Sequence, residues 1–195
     1  FTVETKGGLV SIALHLDRHG DAAAATVEMG RATFQPSALP CTLTVDELIQ
    51  QPIEAAGRSL QFTGVSVGNP HCVIFKQPGE AWTREDLLTL GPALENHSLF
   101  PKRTNVQLAV PTGPKDIFIL IWERGAGETQ ASGSSSCAAA SAAVRLGLVK
   151  GPVTVKMPGG TLNIEVAQDF SLTMKGPVAE VARGALSPSF VRGLK

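Results

Sequence analysis

The fold is decided by the stretch Glu123-Arg-Gly-Ala-Gly-Glu-Thr-Gln-Ala-Ser-Gly-Ser-Ser-Ser-Cys-Ala-Ala-Ala-Ser-Ala-Ala-Val-Arg-Leu-Gly147. Its first half is small, polar and rich in glycine. Its second half, residues 134–146, predicts a helix because alanine dominates it and neither Gly nor Pro interrupts it. Serines stand where hydroxyls cap the first N–H groups of a helix, and Gly147 stands where a C-terminal cap is expected.

The junction between the two halves has the pattern of an anion site. A glycine-rich loop that leads into a helix exposes backbone N–H donors at the positive end of the helix dipole. The stretch lacks the lysine of a phosphate-binding P-loop and does not fit the dinucleotide fingerprint. It therefore indicates a small carboxylate as the ligand. On this stretch alone, an ordinary core helix behind a flexible glycine loop remains an equal alternative.

The alanines go nearly all the way round the helix, which is typical of a buried helix whose small side chains let other backbone approach closely. Around it the chain alternates between short strand patterns and turns, with a Gly7-Gly8 hairpin turn near the start. We predict an α+β domain in which β-strands wrap around a central α-helix. The predicted strands are three within residues 1–29, two within 60–75, and 105–110, 116–123, 153–157, 162–166, 172–174 and 178–181.

A second helix is predicted from residue 83 to residue 90, because Thr83 and Asp86 have the spacing of a capping box. Another helical turn or two is predicted over residues 92–97. Residues from 187 onward have the pattern of a tail, in which Phe190 and Val191 could dock on the domain. The connector 30–40 is rich in chain breakers and marks a plausible domain boundary.

Composition narrows the range of partners. A hydrophobic content of 43% supports a core, while zero net charge and a pI near 7.1 argue against nucleic acid and anionic membranes. No apolar run is long enough to span a bilayer. The three cysteines are scattered without metal-site spacing, which predicts no metal centre and a reduced, cytoplasmic setting. The chain starts inside a strand pattern without Met or a signal peptide, which favours a fragment or a processed product.

Four polar segments lie at predicted strand ends or in loops, where functional sites concentrate. They are residues 68–71, 103–105, 123–125 and 131–134. The Asn-Pro turn presents Asn69 and His71 from one bend, although a histidine alone is more often structural. Glu123 and Arg124 end a strongly apolar strand and, as neighbours, point to opposite faces. The alternative for this pair is a solvated strand end.

The sequence gives little support to two candidate nucleophiles when they are judged from the residues alone. Ser132 has no activating base nearby in the sequence, and Gln130 stands where the nucleophile elbow of a serine hydrolase needs glycine. Cys137 falls inside the alanine helix, which predicts a buried and inert thiol.

In this order and at this spacing, the segments resemble diaminopimelate epimerase, a family of cofactor-independent amino-acid epimerases. The matching text is Gly68-Asn-Pro-His-Cys-Val73, Gly91-Pro-Ala-Leu-Glu95, Phe100-Pro-Lys-Arg-Thr-Asn-Val106, Glu123-Arg-Gly-Ala-Gly-Glu-Thr-Gln130 and Pro158-Gly-Gly-Thr-Leu162. The resemblance covers essentially the whole chain. It implies two similar halves, each with strands around a central helix, and an active site in the cleft between them.

The resemblance also implies how this chain divides. Residues 31–176 would form the complete second domain, and residues 1–30 and 177–195 would be remnants of the first. The family's first half carries one catalytic cysteine in a Cys-Gly-Asn-Gly motif, and this chain would begin just after it. The family's other catalytic cysteine falls at Ser132, in Ala-Ser-Gly where Ala-Cys-Gly is usual. Cys137 matches a family cysteine that has no catalytic assignment.

The resemblance assigns the substrate contacts residue by residue. Asn69 and Asn105 would hydrogen-bond the amino-acid ends of the substrate. Glu123 and Arg124 would hold its distal amino and carboxylate groups, with Glu123 also near the reacting centre.

Three further positions complete the implied site. Gly133 and Ser134 would offer backbone N–H groups to the α-carboxylate at the helix start. Ser132 would stand at the catalytic position, and His71 would orient or tune the acid–base residues. No pyridoxal or metal is implied.

The predicted function is therefore conversion of LL- to meso-diaminopimelate in lysine biosynthesis, strongly impaired by Ser132 and by the absence of the first half. The partner would be the amino-acid substrate, and a homodimer is among the expected assemblies because family members often dimerise. Two alternatives stay open. One is an epimerase-like isomerase or dehydratase that needs only one competent base. The other is a non-catalytic carboxylate-binding domain.

Overall fold

The computed structural model describes residues 1–5, 8–182 and 184–194. The predicted Gly7-Gly8 turn lies in part outside the described residues. The strands are β1 Thr2–Thr5, β2 Gly8–Leu16, β3 Ala22–Arg31, β4 Gln51–Ala55, β5 Arg58–Ser66, β6 Pro70–Phe75, β7 Asn105–Gly113, β8 Asp116–Glu123, β9 Gly127–Thr129, β10 Val153–Met157, β11 Gly160–Val166 and β12 Ser171–Pro177. The helices are α1 Arg84–Glu95, α2 Gly133–Arg145 and α3 Pro188–Arg192, with a 3-10 turn at Pro36–Ala38. Within the described ranges, no helix is both long and apolar enough to cross a membrane.

One mixed sheet runs through the molecule in the order β1-β2-β3-β12-β11-β10-β8-β7-β6-β5-β4, and β9 pairs with β8. Most neighbours are antiparallel, whereas β6 with β7 and β10 with β8 are parallel. In a parallel pair the two strands start at the same edge of the sheet. The starts of β6 and β7 therefore lie side by side, which brings two of the polar segments together.

Helix α2 is the central helix that the sequence predicts. It contacts β5, β6, β7, β8, β10, β11 and β12. Every residue from Ser135 to Ala143 is buried, and Gly147 adopts the left-handed φ of +70° that a C-terminal glycine cap requires. The prediction of an α+β fold with strands around a buried alanine helix is confirmed.

Helix α1 covers the other face of the sheet and closes a second core. The Thr83 capping box is present, since Thr83 Oγ1 accepts the Asp86 N–H and the Asp86 carboxylate accepts the Thr83 N–H. The predicted end at residue 90 is wrong, because the helix continues through Pro92 to Glu95. Leu90 and Leu94 are fully buried against the sheet, and this packing outweighs the helix-breaking tendency of Pro92.

The C-terminal part of the chain departs from the predictions. Residues 178–181 do not form the predicted strand, because β12 ends at Pro177; beyond it, Val178 N–H donates to Ala23 O at 3.1 Å. Proline has no N–H to donate. Residues 187–194 include the short helix α3, in which Phe190 and Val191 are exposed. Strands β4 and β9 were not predicted from the sequence.

Substitution of a buried alanine of α2 tests how closely this helix is packed. We expect Ala142→Leu to lower the free energy of unfolding by about 1–3 kcal/mol, because the added methylenes have no space against the sheet. The same substitution at exposed Ala23 should stay within about 0.5 kcal/mol. Urea unfolding of both variants measures the difference, and equal effects would show that α2 is not tightly enclosed.

Candidate active site

Strand alternation places the polar ends of β6, β7 and β8 on the side of the sheet that faces α2. His71 and Asn105 pair directly in the parallel register of β6 and β7. Val73 and Ile121, which share the strand faces of His71 and Glu123, pack into the core around α2. His71, Asn105 and Glu123 therefore lie on one face of the sheet.

Asn105 joins three of the four polar segments. Its Nδ2 donates to Pro70 O at 2.8 Å, and its Oδ1 accepts the backbone N–H of Arg124 at 2.9 Å. The side chain is buried, and the amide has one further N–H. Asn105 thus fixes the relative positions of the turns that carry Asn69 and Arg124, and retains a donor.

His71 is fully buried beside Asn69, with its Nε2 at 2.9 Å from Asn69 Oδ1. Burial lowers the pKa of His71 to about 3, because the charged ring loses its solvation. The nearby Gln107 side chain offsets part of this lowering of the pKa, and the positive charge of Arg124 lowers the pKa further. The ring is therefore neutral near pH 7, and in the described contacts it does not reach Ser132.

Glu95 supports the turn that carries Glu123 and Arg124. Its Oε1 accepts from Arg103 Nη1 at 3.0 Å and from Gly125 N–H at 2.8 Å. Its Oε2 accepts from Trp122 Nε1 at 2.7 Å. The carboxylate is buried at the end of α1, and three donors compensate its desolvation. Glu95 belongs to one of the matching sequence motifs, but this role was not predicted for it.

The start of α2 has the geometry of an anion site. Ser132 is the N-cap, and its Oγ accepts the Ser135 N–H at 3.5 Å. Gly133 and Ser134 are the first two helical residues, so their N–H groups have no acceptor within the helix. Ser132, Gly133 and Ser134 are each half-buried.

A cavity of about 290 Å³ lies at this helix start. Its lining includes Ser132 and Gly133, and the turn at residues 158–160 forms one wall. Gly159 N–H donates to Gln130 O at 2.7 Å, and a Cβ at Gly159 would lie 2.8 Å from that oxygen. Only glycine allows this approach. The lining does not include Asn69, His71, Asn105, Glu123, Arg124 or Ser134.

A buried polar contact connects the cavity side of the site to the His71 side. Gln107 lies on β7, two residues after Asn105, and its Nε2 donates to Ser135 Oγ at 3.0 Å. Gln107 was not among the predicted site residues. A polar residue at an inward position of an otherwise apolar strand was the available signal.

Two further kinds of reactive group were considered as site residues, metal ligands and the thiol of Cys137. Among the described residues, no three His, Cys, Asp or Glu side chains come together to hold a metal ion. Cys137 is buried in α2, as the sequence predicts, and burial raises its pKa to about 12. This thiol is not available as a base near pH 7.

The pattern of one protein family, diaminopimelate epimerase, matches residues 63–181. The chain belongs to the diaminopimelate epimerase family. It is 38% identical over 185 residues to the diaminopimelate epimerase of Desulfitobacterium hafniense, covering 94% of this chain and 64% of that protein. It is 41% identical over 188 residues to diaminopimelate epimerase 2 of a Nostoc species, covering 96% of this chain and 63% of that protein. The chain thus spans less than two thirds of the length of these relatives.

Solved structures share the fold at low sequence identity. A hydroxyproline epimerase from Agrobacterium vitis, with bound trans-4-hydroxy-L-proline, has a TM-score of 0.63 at 15% identity, covering 90% of this chain and 55% of that chain. A predicted epimerase from Pseudomonas aeruginosa has a TM-score of 0.61 at 21% identity, covering 95% of this chain and 66% of that chain. These likenesses agree with the epimerase-type α+β fold.

The buried neutral His71 predicts a specific dependence of stability on pH. Its pKa is about 3 in the folded chain against 6.5 for an unperturbed histidine, so between these values the unfolded state binds the extra proton. The stabilisation is present above pH 6.5 and is lost as the pH falls toward 3. We expect the free energy of unfolding to fall by about 2 kcal/mol between pH 7 and pH 5 from this group alone.

Urea unfolding at the two pH values measures this loss. His71→Gln should remove it, whereas His19→Gln, at an exposed histidine, should retain it. An unchanged pH dependence in His71→Gln would contradict the assignment.

Proposed function

We propose that this chain provides the second domain of a cofactor-independent epimerase that converts LL- to meso-diaminopimelate in the cytoplasmic synthesis of lysine. The observation that carries the proposal is the start of α2, where Ser132 and Gly133 line a cavity in a chain of this family. Asn69, Asn105, Glu123 and Arg124 would complete the site. The proposed partner is the amino-acid substrate, and a homodimer is the expected assembly.

The domain division is part of this proposal. Residues 31–176 would form the second domain around α2, and residues 1–30 and 177–195 would belong to the first. Exposed apolar side chains on the first strands support it, since Leu9, Leu14 and Leu16 are 76%, 46% and 62% exposed. Large apolar side chains exposed within one short segment are typical of a region that another part of a protein covers.

The α-carboxylate would bind the N–H groups of Gly133 and Ser134. Neither group has an acceptor within the helix, and the positive end of the α2 dipole favours an anion there. The bound carboxylate would place the α-carbon next to residue 132. The same dipole would stabilise the negative charge that develops when the α-proton leaves.

The other groups would hold the rest of the substrate. Asn69 and Asn105 would bind its amino-acid ends, since Asn69 keeps its amide nitrogen and Asn105 keeps one N–H beyond their observed contacts. Arg124 is exposed and would pair with the distal carboxylate. Glu123 would pair with the distal ammonium group, and neutral His71 would orient Asn69.

Residue 132 would limit the reaction. Epimerisation without a cofactor needs one group that removes the α-proton and one on the opposite face that returns it. A cysteine thiol titrates near ~8.5 and lower at a helix start, whereas a serine hydroxyl is not ionised near neutral pH. With Ser132 at this position, we expect proton transfer on this face to be strongly impaired.

A gain-of-function variant tests the proposal. The full-length protein would be assayed with the preceding third supplied by its own reading frame or by the Desulfitobacterium hafniense relative. We expect Ser132→Cys to raise α-proton exchange of diaminopimelate in D₂O by at least ~100-fold over the Ser132 form, because general-base catalysis contributes factors of this size. Proton NMR measures the exchange.

Ala131→Cys is the matched control, since it places a thiol one residue before the helix cap. If Ser132→Cys did not raise the rate of α-proton exchange, or if Ala131→Cys raised it equally, residue 132 would not be the base in the reaction.

Ser132 itself favours a second candidate, an isomerase or dehydratase that abstracts a proton from one face only. Such a reaction needs one competent base and yields a rearranged or keto acid product. Product analysis on the Ser132 form distinguishes it from epimerisation. Tight calorimetric binding of diaminopimelate without any turnover would instead favour the carboxylate-binding domain.

A further inference from the structure

A row of polar side chains leads from Asn69 to the start of α2, with a break in its hydrogen bonds between His71 and Gln107. His71 Nε2 lies 2.9 Å from Asn69 Oδ1, and the Gln107 amide lies 3.0 Å from Ser135 Oγ. Ser135 is the third residue of α2, and its N–H points to Ser132 Oγ at 3.5 Å. His71, Gln107 and Ser135 are each fully buried.

Two atoms in this row have no hydrogen-bond partner. Throughout the described ranges, they are the only buried side-chain nitrogen or oxygen atoms in this condition: His71 Nδ1 and Gln107 Oε1. The two residues lie on adjacent parallel strands, with Val73, two residues after His71, paired to Gln107. Both side chains point to the α2 side of the sheet. A buried polar atom without a partner is costly, so an arrangement that satisfies both atoms is favoured.

The charge of the imidazole limits the arrangements. Near pH 7 the ring is neutral and carries one N–H. Since Nε2 faces the oxygen of Asn69, the proton belongs on Nε2, and Nδ1 then needs a donor. The oxygen of Gln107 cannot donate. A 180° turn of the Gln107 amide, which preserves its shape, directs its NH₂ to Nδ1 and its oxygen to the Ser135 hydroxyl.

We propose that Gln107 is a positioning residue that holds neutral His71 in its Nε2–H tautomer and couples it to the start of α2. In this arrangement Ser135 Oγ–H donates to Gln107 Oε1, Gln107 Nε2–H donates to His71 Nδ1, and His71 Nε2–H donates to Asn69 Oδ1. Every buried polar atom in the row is satisfied. Asn69 is left with its NH₂ free for a ligand.

The consequence for the reaction rests on the proposed function. Asn69 and the helix start would contact the same substrate, and Gln107 would fix their relative orientation from behind. The tautomer itself does not depend on that function. Its measurement therefore separates this inference from the assignment of an activity.

Long-range ¹H–¹⁵N NMR correlation of the imidazole nitrogens in the ¹⁵N-labelled chain tests the proposal. The His71→Gln variant identifies which of the four histidine signals belongs to His71. At pH 7.5 we expect a pyridine-type Nδ1 and a protonated Nε2, in a ratio of at least ~10 to 1, since one net hydrogen bond biases an equilibrium by roughly this factor. A protonated Nδ1 in the unsubstituted chain would overturn the proposal.

Two variants and a control test the role of Gln107. Gln107→Glu replaces the amide with a group that only accepts, so the proton should move to Nδ1. Ser135→Ala removes the hydroxyl that fixes the amide, and should shift the tautomer ratio toward parity even if Gln107→Glu does not fold. Gln61→Glu, at an exposed glutamine of β5, should leave the His71 signals unchanged. An unchanged tautomer in Ser135→Ala would contradict the coupling.

Discussion

The enclosure of an alanine helix by the sheet is the constraint on which the rest of the structure depends. Seven strands contact α2, and the helix can lie this close to them only because its buried side chains are alanine, serine and cysteine. Burial fixes the helix axis, and a fixed axis fixes the direction of its dipole. The start of α2 thus becomes a rigid point of positive potential at one edge of the sheet.

The direction of the strands determines which residues meet this point. Because β6 and β7 are parallel, both begin at the edge where α2 begins, and antiparallel β8 ends there. Polar residues at those strand ends lie on the α2 face. Two side chains then fix the turns, since Asn105 holds the turn of residues 69–71 to Arg124 and Glu95 holds Gly125 from the α1 side. The turns of the site are therefore held by Asn105, which lies within the site, and by Glu95, which supports it from the α1 side.

Features that depend on interactions between residues close in the chain could be predicted from the sequence. The alanine helix, its cap at Gly147 and the Thr83 capping box follow from local preferences, and the structure contains all of them. The continuation of α1 through Pro92 could not be predicted, because tertiary burial of Leu94 decides it. Gln107 and Glu95 were missed for a similar reason. An inward polar position on an apolar strand marks Gln107 as unusual, but the partners of both residues are set by the sheet register and helix packing.

The Oγ atom of Ser132 has two roles to fill, because it caps helix α2 and stands at the position proposed for proton transfer. As an N-cap, serine is among the best residues for the helix, since its Oγ accepts the Ser135 N–H. As a base for carbon acids, it is far weaker than a thiolate. A cysteine at this position would lose part of the cap, at a cost of about 0.5–2 kcal/mol, but the helix dipole would favour its ionised form. The residue that best stabilises α2 is thus the poorer proton acceptor, so stability and proton transfer favour different residues at position 132.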